Sequence, residues 1–406
     1  MDVHKKTVMA AVRIPDGSGG RSQALREFRT FSADLGRLRD WLVAEGVTQV
    51  AMEATGVYWR PVWHVLEEVP GLELLLVNPR HVKNVPGRKT DACDAAWLAQ
   101  LLECGLLRGS FVPPKVIAQL RDLTRYRAKV VQERGREAQR VQKLLEDAGI
   151  KLDSVASDVM GVSCRRMIEA LVAGERDPEV LSEMAMARMR PKIPELRQAL
   201  VGRFEDHHAL LLRMHLDHVD QLTEMEGRLD GEVDRLMAPF SEPATRLVTV
   251  PGIGKRTAEV VVAEIGVDMT RFPTPGHLAS WAGLCPGNHE SAGKRKSGRA
   301  RKGNTALCSA LCEAAWSASH CKDGYLPAQY RRFKRRFGKK SESKAIFAVA
   351  HTMIVIIWHI LASDTGVYED LGSDHFERRN DAAARQRYLV HQLETLGHKV
   401  TLEPAA

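Results

Sequence analysis

Aromatic residues are scarce in this chain, at 6% of 406 residues, and its seven cysteines show no paired Cys-x-x-Cys spacing. An odd, unpaired set excludes the disulfide framework of a small secreted domain and gives no zinc ribbon, so a reducing cytoplasm is the expected setting. Long uninterrupted apolar runs are also missing. The longest, near Ala345 to Leu361, is broken by His351 and His359 and reads as a buried helix, so no membrane partner is expected. No targeting segment is read ahead of the first strand pattern. Positive charge is in excess: the formal net charge is +8 and the sequence pI about 9.1. Such a surplus fits a polyanionic partner if it is concentrated, and means only solubility if it is diffuse. With 44% apolar residues, a chain of this length can bury roughly two or three cores.

The acids are distributed in an informative order. Asp91 and Asp94 stand three apart at the start of an amphipathic pattern carrying Ala95, Leu98 and Leu102, so both carboxylates project from one helix face. Acids in a first helical turn also complement the helix dipole. Two more lie upstream. Asp2 opens an expected strand running to Val12, and Glu53 ends the apolar run Val47 to Met52. A carboxylate at the end of a buried strand costs several kcal/mol unless it is paired or metal-bound. Further strands are expected at Val8 to Ile14, Leu25 to Phe31 and Leu72 to Val77, with helices over Ser32 to Glu45 and around Tyr58 and Trp59. This alternation predicts an α/β sandwich of RNase H-like type, and the order strand acid, strand acid, helix acids is that of nucleases which gather four carboxylates around two metal ions. His81, Lys83, Arg88 and Lys89 make a basic loop just before the acid helix, suited to a phosphate backbone.

From Lys115 to Gln142 the pattern turns helical and charged, with Leu120, Leu123, Val130 and Val131 near heptad spacing among seven arginines and lysines from Arg121 to Arg140. With the helix from Val201 to Met237 it reads as a coiled-coil arm, structural first and nucleic-acid-binding second. His207, His208, His215 and His218 on that helix read as solvated surface rather than a metal site. Pro251-Gly252-Ile253-Gly254-Lys255 matches either a plain turn or the turn of a helix-hairpin-helix, where glycines let backbone N–H groups approach a phosphate. Six cations then lie between Lys294 and Lys302 (Lys294, Arg295, Lys296, Arg299, Arg301, Lys302), in a glycine-bracketed loop that also holds Ser291 and Ser297. Arg331, Arg332, Lys334, Arg335, Arg336, Lys339 and Lys340 follow, interleaved with Phe333 and Phe337. The charge is concentrated, and nucleic acid is its natural ligand.

These blocks together resemble a known family. Asp-Val-His-Lys from residue 2, Met-Glu-Ala-Thr-Gly-Val-Tyr-Trp from 52 and Lys-Thr-Asp-x-x-Asp-Ala from 89 are similar to the DEDD transposases of the insertion sequence 110 family. Val-Pro-Gly-Ile-Gly, Gly-Leu-x-Pro, His-Glu-Ser-Ala-Gly-Lys and Arg-x-Arg-Lys-Gly-Asn, in that order from residue 250, resemble the family's C-terminal domain. The resemblance implies a RuvC-like domain at 1–112 whose Asp2, Glu53, Asp91 and Asp94 bind two Mg2+, with Mn2+ as an alternative. It implies a helical arm at 113–240, a mostly α domain with the helix-hairpin-helix and a nucleophilic Ser291 at 241–362, and a tail at 363–406. It further implies a homodimer or tetramer, DNA at element ends and target, and a structured guide RNA. Family members carry several residues before the first acid, whereas only Met1 precedes Asp2, so a later-than-usual start is expected. A junction resolvase or metal-dependent nuclease would need the acids but leave Ser291 idle. A non-catalytic nucleic-acid-binding protein would need neither. The roles of His289 and Glu290 stay open.

Overall fold

The computed structural model describes the chain apart from residues 18–19, 55, 80–89, 288, 299, 339–340, 379–381 and 404–406, and apart from the side chains of 289–291, 295–297, 377 and 382–385. Its contacts divide it into two units, Met1–Val112 and Pro113–Ala406.

In the first unit, β1 (Asp2–Val3) and β2 (Thr7–Pro15) pair antiparallel with Asp2 opposite Met9, and β2 pairs antiparallel with β3 (Arg21–Arg29). The single strand expected from Asp2 to Val12 is therefore two strands of a hairpin. The polar stretch His4 to Lys6 has no apolar face to bury, and the His4 N–H closes the turn onto the Thr7 carbonyl at 2.9 Å. In β2 the alternation is kept, and Val8, Ala10 and Val12 face the core. β4 (Gln49–Glu53) and β5 (Glu73–Val77) form a parallel pair with Glu53 opposite Val77. α1 (Ser32–Ala44) and α2 (Trp59–Leu66) bring Leu35, Leu38, Trp41, Leu42, Val62 and Leu66 onto the same core. The Met1 amine is buried and donates to the Ala51 carbonyl at 2.7 Å, as a strand amide would. Burial lowers its pKa to about 6. A cavity of about 290 Å³ lies beside it, between Ala11–Pro15 of β2 and the segment Val47–Ala51 that leads into β4.

α3 (Asp91–Glu103) covers these sheets, burying Ala95 and Leu98; Thr90 caps it by accepting from the Cys93 N–H. Threonine, two acids in the first turn and a leucine stripe dictate the helix and its direction. Its N-terminal turn lies against β1 and holds both acids.

In the second unit α4 (Lys115–Asp147) and α9 (Asp206–Met237) run together as the expected long pair. Four short helices, α5 (Leu152–Val155), α6 (Val162–Val172), α7 (Pro178–Glu183) and α8 (Ile193–Ala199), close over one end of that pair. Their core joins Met167, Ile168, Leu171, Leu181 and Leu196 to Leu145, Leu212 and Leu216 of the long helices. Beyond the pair, α10 (Ser241–Val248) and α11 (Lys255–Ile265) form a helix-turn-helix through residues 249–254. α12 (Pro275–Ala282), α13 (Thr305–Ser319) and α14 (Tyr325–Phe337) pack around α15 (Glu342–Ala362). α15 is long and apolar enough to cross a membrane, yet half of its apolar window is buried inside this unit. It serves here as a core helix, with Met353, Ile354 and Ile357 fully covered.

Candidate metal centre and nucleic-acid surface

Asp2 is 5% exposed, which for a carboxylate demands a partner. Its Oδ2 lies 3.2 Å from His4 Nε2, and the same nitrogen is 3.4 Å from Asp91 Oδ2 on the first turn of α3. One ligand atom from each of the three lies within 4.8 Å of the other two, a grouping that could hold a metal ion. Glu53 ends β4, where its charge and that of Asp2 both act on the Met1 amine. Asp94 sits three residues beyond Asp91 in the same helical turn. The four sequence-selected acids thus come from β1, β4 and α3 of one unit, and two of them, Asp2 and Asp91, converge on the same His4 nitrogen. The donor set fits a divalent cation, since carboxylate oxygens are the preferred ligands of Mg2+ and Mn2+. His4 was not singled out as a site residue. Its one sequence signal is a position two residues after an acid, on the far side of a turn.

A second grouping, Asp147, His207 and His208, meets the same distance test. Chemistry excludes it. His208 is buried, its Nδ1 accepts from the Glu205 N–H at 3.1 Å, and its Nε2 faces Asp147 at 3.4 Å, so the neutral ring carries its proton on Nε2 and has no free lone pair. The reading of these histidines as solvated surface is corrected for three of them. His208 caps α9, while His215 and His218 each hydrogen-bond buried Glu137 on α4, at 2.8 and 3.0 Å.

The glycine-bracketed basic loop is a β-hairpin in the structure. β6 (His289–Ser291) and β7 (Lys294–Ser297) pair antiparallel, with Ser291 opposite Lys294 and an irregularity between His289 and Glu290. Ala292 and Gly293 both take positive φ, 52° and 71°, the pattern of a two-residue turn whose twist matches the strands. Ser291 is therefore the last strand residue before a tight turn. Its side chain, with those of Arg295, Lys296 and Ser297, lies outside the described set, as do Arg299, Lys89 and the rest of the basic loop at 80–89. Lys294, Arg301 and Lys302 are exposed.

On α14, Arg331, Arg332, Arg335 and Arg336 are all exposed. Arg331 and Arg335 line an open cavity of about 570 Å³ with Lys334 and Gly338. Arg332 lies 4.9 Å over the Phe376 ring, and Phe333 and Phe337 stack at 5.7 Å. The helix-hairpin-helix positions differ among themselves. Gly252 has φ +87° and a Cβ there would fall 2.2 Å from the Ala314 carbonyl oxygen, whereas a Cβ at Gly254 would meet nothing within 4 Å. Lys255 pairs with Asp234 at 2.7 Å.

Known proteins resemble this chain in both halves. Residues 1–150 match the family of DEDD-type IS110 transposases, and residues 244–331 match the transposase IS116/IS110/IS902 family. An insertion element IS110 protein of 43.6 kDa from Streptomyces coelicolor is 25% identical over 320 residues, 73% of this chain and 76% of that protein. The transposase for insertion sequence element IS1111A of Coxiella burnetii is 24% identical over 295 residues, 72% of each chain. A pilin gene-inverting protein of Moraxella lacunata is 34% identical over 152 residues, 36% of this chain and 46% of that one. An α/β unit with converging carboxylates, followed by a helical unit with a basic surface, is here the body of a transposase. The two matches together span more than half the chain, which belongs to the IS110 family of transposases.

Proposed function

We propose that the protein cuts and rejoins DNA to mobilise its own insertion sequence, with a nucleophilic serine in one unit and an RNase H-like carboxylate centre in the other. The observation that carries this reading is the approach of Asp2 from a strand and Asp91 from a helix to one nitrogen of His4, in the part of the chain that matches DEDD transposases. Asp2, Glu53, Asp91 and Asp94 would hold divalent cations, Mg2+ in the first instance. Such ions supply Lewis-acid stabilisation of charge on a phosphoryl oxygen. The chain's own residues do the rest. Asp2 is fixed by burial and by His4, so it needs no rearrangement to present its oxygens.

Ser291 Oγ attacks the scissile phosphorus, an Oγ–P bond forms as the P–O bond to the leaving deoxyribose breaks, and the serine proton ends on the departing oxygen. Attack by a second deoxyribose hydroxyl then reverses the exchange and frees the serine, with no ATP required. Lys294, Arg301 and Lys302 supply cations near the developing phosphoryl charge. By the family resemblance, a structured guide RNA selects donor and target, and protomers of a dimer or tetramer contribute to one composite centre.

Covalent capture tests the nucleophile. Incubation with element-end DNA, the adjacent non-coding RNA and Mg2+ should give a denaturant-resistant adduct that maps to Ser291 by peptide mass. Ser291→Ala should lose adduct and recombination while still binding nucleic acid, and Ser297→Ala should keep the adduct. Strand exchange by Ser291→Ala would overturn the assignment. Cleavage to free phosphate ends without an adduct would favour a metal-dependent nuclease.

A further inference from the structure

His4 stands where two of the proposed ligands meet, although a four-carboxylate centre gives it no role. The hairpin turn that corrects the first strand also aims its ring, since the backbone of His4 is closed onto Thr7. Nε2 then sits 3.2 Å from Asp2 Oδ2 and 3.4 Å from Asp91 Oδ2. Neighbouring ligands of an octahedral ion at about 2.1 Å are about 3 Å apart, so these separations are close to those of adjacent ligands around one cation. His208 shows what a purely structural histidine looks like in this chain, with both ring nitrogens engaged and the ring buried. His4 differs in each respect. Its side chain is 46% exposed, and among the described residues its ring nitrogens touch only the two carboxylates. Without a metal, Nε2 donates to the Asp2 carboxylate; a cation taking that proton's place leaves the ring's proton on the exposed Nδ1 and turns Nε2 into a ligand.

We propose that His4 is a metal ligand of this centre, its Nε2 joining Asp2 and Asp91 on one divalent ion and biasing the site toward Mn2+ over Mg2+. An imidazole nitrogen suits Mn2+ and softer ions better than it suits Mg2+, which prefers oxygen throughout. The inference rests on the carboxylate reading of Asp2 and Asp91, and the test separates the two.

The probe is Mn2+ alone, added to the full-length, tag-free protein without nucleic acid. Pulsed electron paramagnetic resonance should detect a directly bound histidine nitrogen in the wild type. His4→Gln should lose that nitrogen signal and weaken Mn2+ about tenfold, while Mg2+ affinity, measured by competition, changes less than about twofold. An unchanged thermal transition in His4→Gln shows that the fold is intact. A wild-type spectrum without nitrogen coupling, or one that His4→Gln leaves unaltered, would overturn the role of His4. If Asp91→Ala binds Mn2+ as the wild type does, with or without His4, the carboxylate centre itself is refuted and the histidine ligand falls with it.

Discussion

Gly252 and Gly254 are two residues apart in one motif and are held by different physics. Gly252 combines a left-handed φ of +87° with a site where a Cβ would lie 2.2 Å from Ala314 O and 2.8 Å from Ala318 N, so its lack of a side chain serves the packing of the turn on α13. Gly254 has φ −92° and open space around it at the N-terminus of α11, a place suited to phosphate approach. Gly252→Ala should therefore destabilise the protein by about 3 kcal/mol or more in denaturant unfolding. Gly254→Ala should change stability by less than about 1 kcal/mol, and it should weaken DNA binding if the α11 N-terminus meets a phosphate. Equal destabilisation by both would remove the distinction. At this scale the acids were legible because strand ends and first helical turns are local signals, readable without knowing the fold. His4 and His208 were not, since each takes its role from a residue on another element: Asp91 for His4, and Asp147 for His208.

The long helix pair shows how element-level context revises residue chemistry. The arginines of α4, which the sequence places around a heptad pattern, are largely paired with acids inside the unit. Arg127 is buried between Asp230 at 2.9 Å and Glu259 at 2.7 Å, and Arg121 and Arg125 both reach Glu264, whose side chain is fully buried. Arg134 and Arg256 share Glu226. These pairs fix the register of α4 against α9 and α11, a specificity that heptad spacing alone does not give. Helices α5, α7 and α8, of 4, 6 and 7 residues, give at most about two turns of pattern, whereas α6, of 11 residues, carries Cys164, Met167, Ile168 and Leu171 at helical spacing and was readable though not read. Glu137 gives the pair a pH signature. Burial alone would raise its pKa, yet hydrogen bonds from His215 and His218 and the charge of Arg140 hold it below its ordinary value of 4.5. A carboxylate depressed in the folded state stabilises above its unfolded pKa and loses that contribution as pH falls through the folded one. Glu137→Gln should cost about 1–3 kcal/mol near pH 6, and the gap in melting temperature from wild type should narrow as pH falls from 4.5 through the lower folded-state pKa. A gap that stays constant down to the lowest pH at which both proteins fold would show that the loss is one of packing.

Across the whole molecule, a net charge of +8 is modest, and its effect depends on which cations the fold leaves free. Arginines on the arm pair with acids: Arg136 with Glu133, Arg140 with Glu133 and Glu137, Arg165 with Glu169 and Asp220. On α14, four arginines within six residues are exposed, and Glu342 pairs with Lys334 of the same helix. Both regions looked alike as basic stretches in the sequence, and only the folded positions of the acids separate them. Binding to duplex DNA should show the difference through counterion release, which lowers the slope of log affinity against log salt by about 0.9 for each phosphate contact removed. Replacing Arg331, Arg332, Arg335 and Arg336 together by Gln should flatten the slope by about 3 and weaken binding across DNA sequences alike. Replacing Arg136 and Arg140 by Gln should leave the slope within about 0.5 of wild type, because those charges are already neutralised within the chain. A flat response to the α14 variant with a large response to the arm variant would place the DNA on the long helices and leave the basic helix facing solvent.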